Sequence, residues 1–332
     1  MSTHILHGAA RVMLALALGS ALFAPCASAE TTLTVGKAAA DADAIIPVNV
    51  GDQLGFFKKH GLDLKIVDFT GGSKMIQAMV AGSIDIGDGA GIQMAYIAKG
   101  VPMLAVCEST TTLPYLSIGV PWDSPIKTKE ELKGKKIGIS SAGALTDWLA
   151  KELMRKEGWS RDDVTIVSIG GGVTSSSAAF RDHLIDAYIG GTASFLVMAE
   201  KQIGRLLVPV SDYEGRVASG TIFASNHLIE SNPDAIRAFL AGWLETTAFI
   251  QTHKAETVKI ESGITGFPES VMAKEYDIVI DMFNDCKFDT ESLGTLSRSF
   301  VELKLLDTAP DMSKLYTETF VPKTPDAATT AH

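Results

Sequence analysis

The apolar and polar positions fall into short strand and helix patterns that alternate along the chain. Leu33-Thr34-Val35-Gly36 reads as a strand, a helical stretch runs from about Ile45 to His60, and Gly61 ends it before a second strand, Leu64 to Phe69. Gly71-Gly72-Ser73 then opens a helix that closes into Ser83-Ile84-Asp85-Ile86-Gly87-Asp88. The order recurs about a hundred residues later: strand Lys136 to Ile139, helix Leu145 to Glu157 stopped by Gly158, strand Val164 to Ile169, a Gly170-Gly171-Gly172 turn, and a helix running into Leu184 to Gly190. Ile66-Val67 and Ile166-Val167 lie 100 positions apart, and Asp85 and Asp186 lie 101 apart. An internal repeat of this kind predicts two lobes of one design. Alternation of strand and helix predicts an α/β fold in which each lobe is a mostly parallel sheet flanked by helices. Helices over Pro268 to Phe283 and Thr290 to Leu303 are read from periodicity alone.

In open sheets of this kind ligands gather where strands end and turn into helices. Those turns are small and glycine-rich here: Gly71-Gly72-Ser73, Gly87-Asp88-Gly89-Ala90, Ser140 to Ala144, Gly170 to Val173 and Gly190-Gly191-Thr192. A helix start carries N–H groups without internal partners and a partial positive charge, so small residues there let an anion approach. Plain helix capping by Ser or Thr explains each loop separately; convergence of several loops on one cleft favours a ligand. Leu145, Trp148, Leu149 and Leu153 have helical spacing and are expected in the core. Tyr115, Trp122, Tyr188 and Phe195 are the aromatic candidates for the cleft, although core packing is the commoner fate.

Composition is that of an ordinary globular protein, 46% hydrophobic and 20% charged over 332 residues. The first 29 residues read as a signal peptide: Val12 to Ala24 is apolar, too short for a membrane span, and Ala27-Ser28-Ala29 fits cleavage after Ala29. Arg11 is the one charged residue removed, so the net charge of −10 becomes −11. Such a surface repels nucleic acid. Cys107 and Cys286 survive cleavage; they could pair in an oxidising compartment, with two buried thiols the commoner outcome. No Cys/His group has metal spacing, and the low-complexity tail from Lys323 to His332 is expected to fray.

Leu54-Gly55-Phe56-Phe57-Lys58-Lys59-His60-Gly61-Leu62-Asp63, Val80-Ala81-Gly82-Ser83-Ile84-Asp85-Ile86-Gly87, Leu132-Lys133-Gly134-Lys135-Lys136-Ile137-Gly138 and Asn232 to Leu240 together resemble the periplasmic substrate-binding proteins of nitrate/sulfonate/taurine-type ABC importers, an SsuA/THI5-like, NMT1-like family. The resemblance covers about Glu30 to Thr252 and is less distinct from Glu261 onward. It implies a type II periplasmic binding protein with two crossover strands, near Pro114 to Val120 and Ser219 to Ser225. Lobe 1 would comprise residues 30–118 and 222–332, and lobe 2 residues 119–221. A small organic solute, whether sulfonate, carboxylate, zwitterion or pyrimidine-like, would bind between the lobes of a periplasmic monomer without cofactor or metal. An inner-membrane ABC permease with its ATPase would read closure. The implied ligand-binding positions are the loop Ala39 to Ala44 with Asp41 and Asp43, Gly72, Ser73, Asp88, Gly89, Ser140, Ser141, Ala142, Gly143, Gly172, Val173, Gly191 and Thr192.

This chain's own residues suggest an acidic cleft, through Asp41, Asp43, Asp88 and Asp147, with Lys37 and Lys74 the nearby cations and no Arg in the loops. That pattern favours a zwitterion, amine or heterocycle, unless the Asp residues are turn-formers and caps. The alternative is a THI5-like enzyme or hydrolase acting on a small heterocycle. Against it, Gly138 to Gly143 has the spacing G-x-S-x-x-G rather than that of a nucleophile elbow, the histidines lie apart, and the cysteine-rich motif of the pyrimidine synthase is missing. No catalytic residue is assigned.

Overall fold

The computed structural model describes residues 30–40, 44 and 46–322. The expectations for residues 1–29, for Asp41 and Asp43 and for the tail from Lys323 lie outside the described residues. The chain begins with β1 (Thr31–Lys37), α1 (Pro47–Gln53), α2 (Phe56–Lys59), β2 (Leu62–Asp68), α3 (Gly72–Val80), β3 (Ile86–Gly89), α4 (Met94–Ala98) and β4 (Met103–Thr110). A second unit follows: β5 (Leu116–Pro121), β6 (Lys136–Ile139), α5 (Leu145–Lys156), β7 (Thr165–Ser168), α6 (Gly172–Arg181), β8 (Ala187–Gly191), α7 (Thr192–Glu200) and β9 (Gly204–Pro209). The chain then returns through β10 (Gly220–Ser225), α8 (Asn226–Ser231), α9 (Pro233–Thr252), α10 (Lys254–Thr265), α11 (Glu269–Val279), β11 (Phe283–Cys286) and α12 (Thr290–Glu302). Where one helix was expected from Ile45 to His60, there are two. Gly55 sits at φ 74°, a left-handed conformation that glycine adopts freely, and it splits them.

Two sheets result, in the orders β11-β4-β10-β3-β1-β2 and β7-β6-β8-β5-β9. β1 pairs in parallel with β2 and β3, and β6 with β7 and β8. The remaining ladders, made by β10 and β5 with both their neighbours and by β11 with β4, are antiparallel. The order β4-β10-β3-β1-β2 is matched strand for strand by β9-β5-β8-β6-β7, so the repeat in the sequence is a repeat in space. Asp85 and Asp186 do the same work in each lobe. The carboxylate of Asp85 accepts the Thr34 N–H at 2.8 Å, and that of Asp186 accepts the Lys136 N–H at 2.8 Å. Each ties the loop before a parallel strand, β3 or β8, to the neighbour it pairs with, β1 or β6.

The segments expected as crossings are strands inside the sheets: Leu116–Pro121 belongs to the second and Gly220–Ser225 to the first. The passages between sheets are residues 111–115 and 210–219, just before those strands. They are bonded to each other: the Val217 N–H reaches the Thr111 carbonyl at 3.1 Å, and the Ser219 hydroxyl donates to the Thr112 carbonyl at 2.5 Å. Hydrophobic packing also joins the lobes. One buried cluster runs from Met75 and Ile76 of α3 through Ile139, Trp148 and Leu149 to Leu296 and Phe300 of α12. Another unites Val50 of α1, Val197 of α7 and the residues Phe267, Val271 and Met272.

Cys107 of β4 and Cys286 of β11 form a disulfide, 179 positions apart in sequence, which corrects the expectation of two thiols. Periodicity from Pro268 to Phe283 gave a helix and hid the short strand after it, so nothing in the sequence brought Cys286 beside Cys107. In the chain-entropy account a loop of this size stabilises by about 5 kcal/mol. Among the described residues, no helix is long and apolar enough to cross a membrane.

Candidate functional site: a cavity between the lobes

A cavity of about 100 Å³ lies where the two sheets face each other. Its first-lobe wall is Ala38, Ala39, Ala44, Gly71, Gly72, Gly89, Ala90 and Gln93; its second-lobe wall includes Ser140, Ala144, Leu145, Thr146, Gly171, Gly172, Tyr188, Gly190, Gly191 and Ser194. Tyr115, Leu116 and Ser219 complete it from the passages and the start of β5. Four helices, α3, α5, α6 and α7, begin at this cavity, with Gly71, Ala144, Gly171 and Gly191 preceding them. None of the four starts is capped by a side chain. Elsewhere, Ser225, Asn232 and Asp289 do cap α8, α9 and α12 through their own side-chain oxygens. The starts of α1, α2, α4, α10 and α11 also lack a side-chain cap, so the four at the cavity are distinguished by converging on one space, where their first N–H groups are open to a guest's acceptor.

The lobes touch at the cavity's rim. Ser73 Oγ on α3 donates to the Ala142 carbonyl of the second lobe at 2.7 Å. Gly71, at φ 142°, packs so closely on Ser141 that a Cβ there would collide with the Ser141 hydroxyl. Ser141 Oγ is itself buried and has no hydrogen-bond partner. On the inner wall, Gln93 accepts the Ala90 N–H at 2.7 Å through Oε1 and presses its amide against Gly72. Tyr115 donates to the Ser219 carbonyl at 3.1 Å, joining the two passages behind the cavity.

Of the positions expected to bind, Gly72, Gly89, Ser140, Gly172 and Gly191 line the cavity. Val173 lines a neighbouring chamber together with Gly172. Ser73, Ser141, Ala142 and Gly143 stand at the contact between lobes. Thr192 is buried behind the wall, its hydroxyl 2.8 Å from that of Ser117. Asp88 does not line the cavity. Strand parity explains why: a Cβ on Gly89 would meet Met75 and Gln93 on the cavity side, so Asp88 projects from the opposite face, with Ile86. It is fully buried, neither carboxylate oxygen has a hydrogen-bond partner, and burial holds its pKa well above the usual carboxylate range, opposed only by the charge of Lys37. Lys37, its register partner on β1, donates to the Ala40 carbonyl at 3.1 Å and pairs with Asp68 at 3.3 Å.

The acidic cleft does not form from the described residues: no charged side chain is among those lining the cavity. Asp147 is occupied locally, accepting the Gly143 N–H at 2.8 Å and pairing with Lys151 at 2.7 Å. Lys74 Nζ donates to Thr70. Of the aromatic candidates, Tyr115 and Tyr188 line the cavity, whereas Trp122 is exposed and Phe195 is fully buried. Leu145, expected in the core with Trp148 and Leu149, lines the cavity because it is the first residue of its helix. Gln93, Thr146, Ser194 and Ser219 were missed. Thr146 had a signal, a hydroxyl one residue into the helix after Ser140; its Oγ1 accepts the Ser140 N–H at 3.0 Å and shapes that loop.

Several known proteins are similar. A Brucella abortus (strain 2308) protein whose name describes it as a binding protein is 28% identical over 217 residues, 64% of this chain and 65% of the relative. A 4-amino-5-hydroxymethyl-2-methylpyrimidine phosphate synthase of Saccharomyces cerevisiae is 27% identical over 223 residues, 62% of this chain and 63% of the enzyme. These matches leave about a third of each relative's length unspanned. The alkanesulfonate-binding protein SsuA of Xanthomonas axonopodis pv. citri, solved with MOPS, superposes with a TM-score of 0.73 at 19% identity, over 85% of this chain and 95% of that one. The periplasmic nitrate-binding protein NrtA of Synechocystis PCC 6803 gives 0.72 at 14% identity, over 87% of each chain. The fold is that of the periplasmic binding proteins. With the NMT1/THI5-like family model matching residues 43–257, the chain belongs to that family.

Proposed function

We propose that this chain is an extracytoplasmic solute-binding protein that closes its two lobes on a small organic solute and presents it to an ABC importer. The carrying observation is the cavity between lobes, walled by four helix starts that lack side-chain caps and by no charged side chain among the described residues. Helix starts offer N–H donors and partial positive charge, so the solute's buried end is acceptor-rich, as in a carboxylate or sulfonate. This moves the reading away from the amine that an acidic cleft would have suited. A disulfide suits export to an oxidising compartment, in keeping with a leader over residues 1–29. The protein acts as a monomer and delivers its cargo to a membrane permease with its ATPase.

The yeast synthase supports a second reading, a THI5-like enzyme. The lining argues against it: among the described residues it holds no Asp, Glu, His, Cys or Lys to move a proton or attack a heterocycle. A melting-temperature screen of the mature protein against sulfonates, carboxylates, amino acids and pyrimidines tests the two. The expected result is a shift with an anionic compound, worth about 2.7 kcal/mol at a hundredfold excess over Kd. Turnover of a pyrimidine without any such shift would replace binding by catalysis.

A further inference from the structure

Away from the central cavity, a recess of about 190 Å³ opens on the outer surface, and its lining shares no residue with the cavity. Helix α5 begins at the cavity and its last two turns line the recess, so Arg155 lies about 15 Å along the helix from Leu145. Four of the lining residues are cations: Lys151 and Arg155 of α5, Arg161 beyond its end, and Lys304 just after α12. This concentration of positive charge stands on a protein whose net charge is −10. We propose that the recess is a second binding site, for a compact soluble polyanion of the pyrophosphate or tricarboxylate kind. It is separate from the solute's cavity and does not depend on the solute-binding reading.

The lining sets the charge of the guest. Lys151 pairs with Asp147 at 2.7 Å, and Arg155 pairs with Glu152 at 2.8 Å and with Glu302 at 3.4 Å, so these two cations are held in place by acids of their own. Arg161 and Lys304 are exposed and make no ion pair among the described residues. A single exposed ion contact is worth about fivefold in affinity at most, so only a guest with two or more charges gains enough from such a rim to bind. Trp159 and the buried Met154 and Leu303 give the recess an apolar floor. Lys304 stands at φ 57°, a left-handed conformation in which glycine is unstrained and lysine is not. Lys151, Arg155 and Arg161 belong to the second lobe, whereas Glu302 and Lys304 belong to the returning segment, which buried Glu108 of β4 holds at the start of α12. A bound polyanion thus ties the second lobe to the returning segment at a point remote from the cavity.

Calorimetric titration of the mature protein with inorganic pyrophosphate and with citrate at low salt tests this. One or both should bind once per chain with a Kd below about 1 mM, weakening as salt rises. Arg161→Ser and Lys304→Gly should each weaken that binding about fivefold, and Lys304→Gly, which relieves the backbone as it removes the cation, should leave the melting temperature unchanged or raised. Glu302→Gln removes the one carboxylate of the lining and should tighten binding about threefold, a gain that damage to the fold would not produce. Lys65→Ser, at an exposed cation of β2 outside the recess, should change nothing. No binding of either anion overturns the inference, and so does an equal loss in Lys65→Ser, which would mean attraction to surface charge at large. Binding lost in Ser141→Trp but intact in Lys304→Gly and Arg161→Ser would put the anion in the central cavity; that result overturns the second site and leaves the solute-binding reading standing.

Discussion

Two sets of helix starts, four at the cavity and three on the returning segment, differ in how they begin. At the cavity, α3, α5, α6 and α7 begin after Gly71, Ala144, Gly171 and Gly191 with no side-chain cap. On the returning segment, α8, α9 and α12 begin with Ser225, Asn232 and Asp289, each accepting an N–H from its own first turn. The start of α12 is satisfied twice over, because buried Glu108 of β4 accepts from the Asp289 N–H and the Ser292 hydroxyl. Since α1, α2, α4, α10 and α11 also start without a side-chain cap, what sets the cavity's four apart is that they converge on one space where the lobes meet. Under the proposed function, a guest with acceptor oxygens would supply at the cavity what Ser225, Asn232 and Asp289 supply to their own helices.

The largest effect expected from this contrast is on the satisfied side. Burial pushes the Glu108 pKa up to about 7, against hydrogen bonds from Ser292 and Asp289 and the charge of Arg216, with the Asp289 carboxylate adding to the rise. The folded protein therefore holds this proton at pH values where the unfolded chain, near 4.5, has lost it. Stability is full below 4.5 and falls as pH rises through 7, by about 3 kcal/mol in all. Denaturant melts of Glu108→Gln should be flatter than wild type between pH 5 and pH 8, roughly by that amount. Equal slopes would mean the carboxyl is not held neutral. Asp88 has the same sign and remains in both proteins, so the difference isolates Glu108.

Next is closure. Ser141→Trp places an indole where Gly71 and Ser141 now meet across the two lobes. We expect affinity for a bound solute to drop about 100-fold, or about 2.7 kcal/mol, with the melting temperature of the free protein unmoved. Retained affinity would mean that the lobes need not meet there for binding.

Much of this frame was legible in the sequence. Strand and helix periodicity located β6 and α5 nearly to the residue, and the spacing of Asp85 and Asp186 announced two lobes because each does the same tethering job. Glycine-rich turns marked the cavity because only small residues let two helix starts approach. What was hidden depends on side-chain direction and on distant partners. Asp88 sits in a cavity-forming loop by sequence yet turns away by strand parity, and Asp147 spends its charge on Gly143 and Lys151 within its own helix start. Gln93 and Ser219 come to the cavity from a helix start and a passage with no distinguishing pattern around them. The disulfide needed the return of β11 to β4, a contact across most of the chain.

A smaller effect sharpens the contrast by giving a bare start a cap. Gly171 has φ −90°, and a Cβ there would sit 3.8 Å from Ser140, an ordinary contact. Gly171→Ser should therefore be tolerated, stabilise α6 by a few tenths of about 1 kcal/mol and weaken solute binding about tenfold, because the new hydroxyl competes for the N–H groups the guest uses. Unchanged affinity in calorimetry would mean that the α6 start does not hold the head.

The complementary change removes a cap on the returning segment. Asn232 accepts the Ala235 N–H at 3.2 Å and precedes Pro233, so it alone supplies a side-chain acceptor at the start of the 20-residue α9. Asn232→Ala should cost about 1 kcal/mol of stability in a denaturant melt and leave solute affinity unchanged, since α9 packs on α1 and α2 and no residue of it lines the cavity. A loss of affinity equal to the loss of stability would mean that binding simply tracks folding, and the division between bare and satisfied helix starts would carry no functional meaning. Stability lost without affinity here, set beside affinity lost without stability at Gly171, separates the two roles on a single chemical feature, the first turn of a helix.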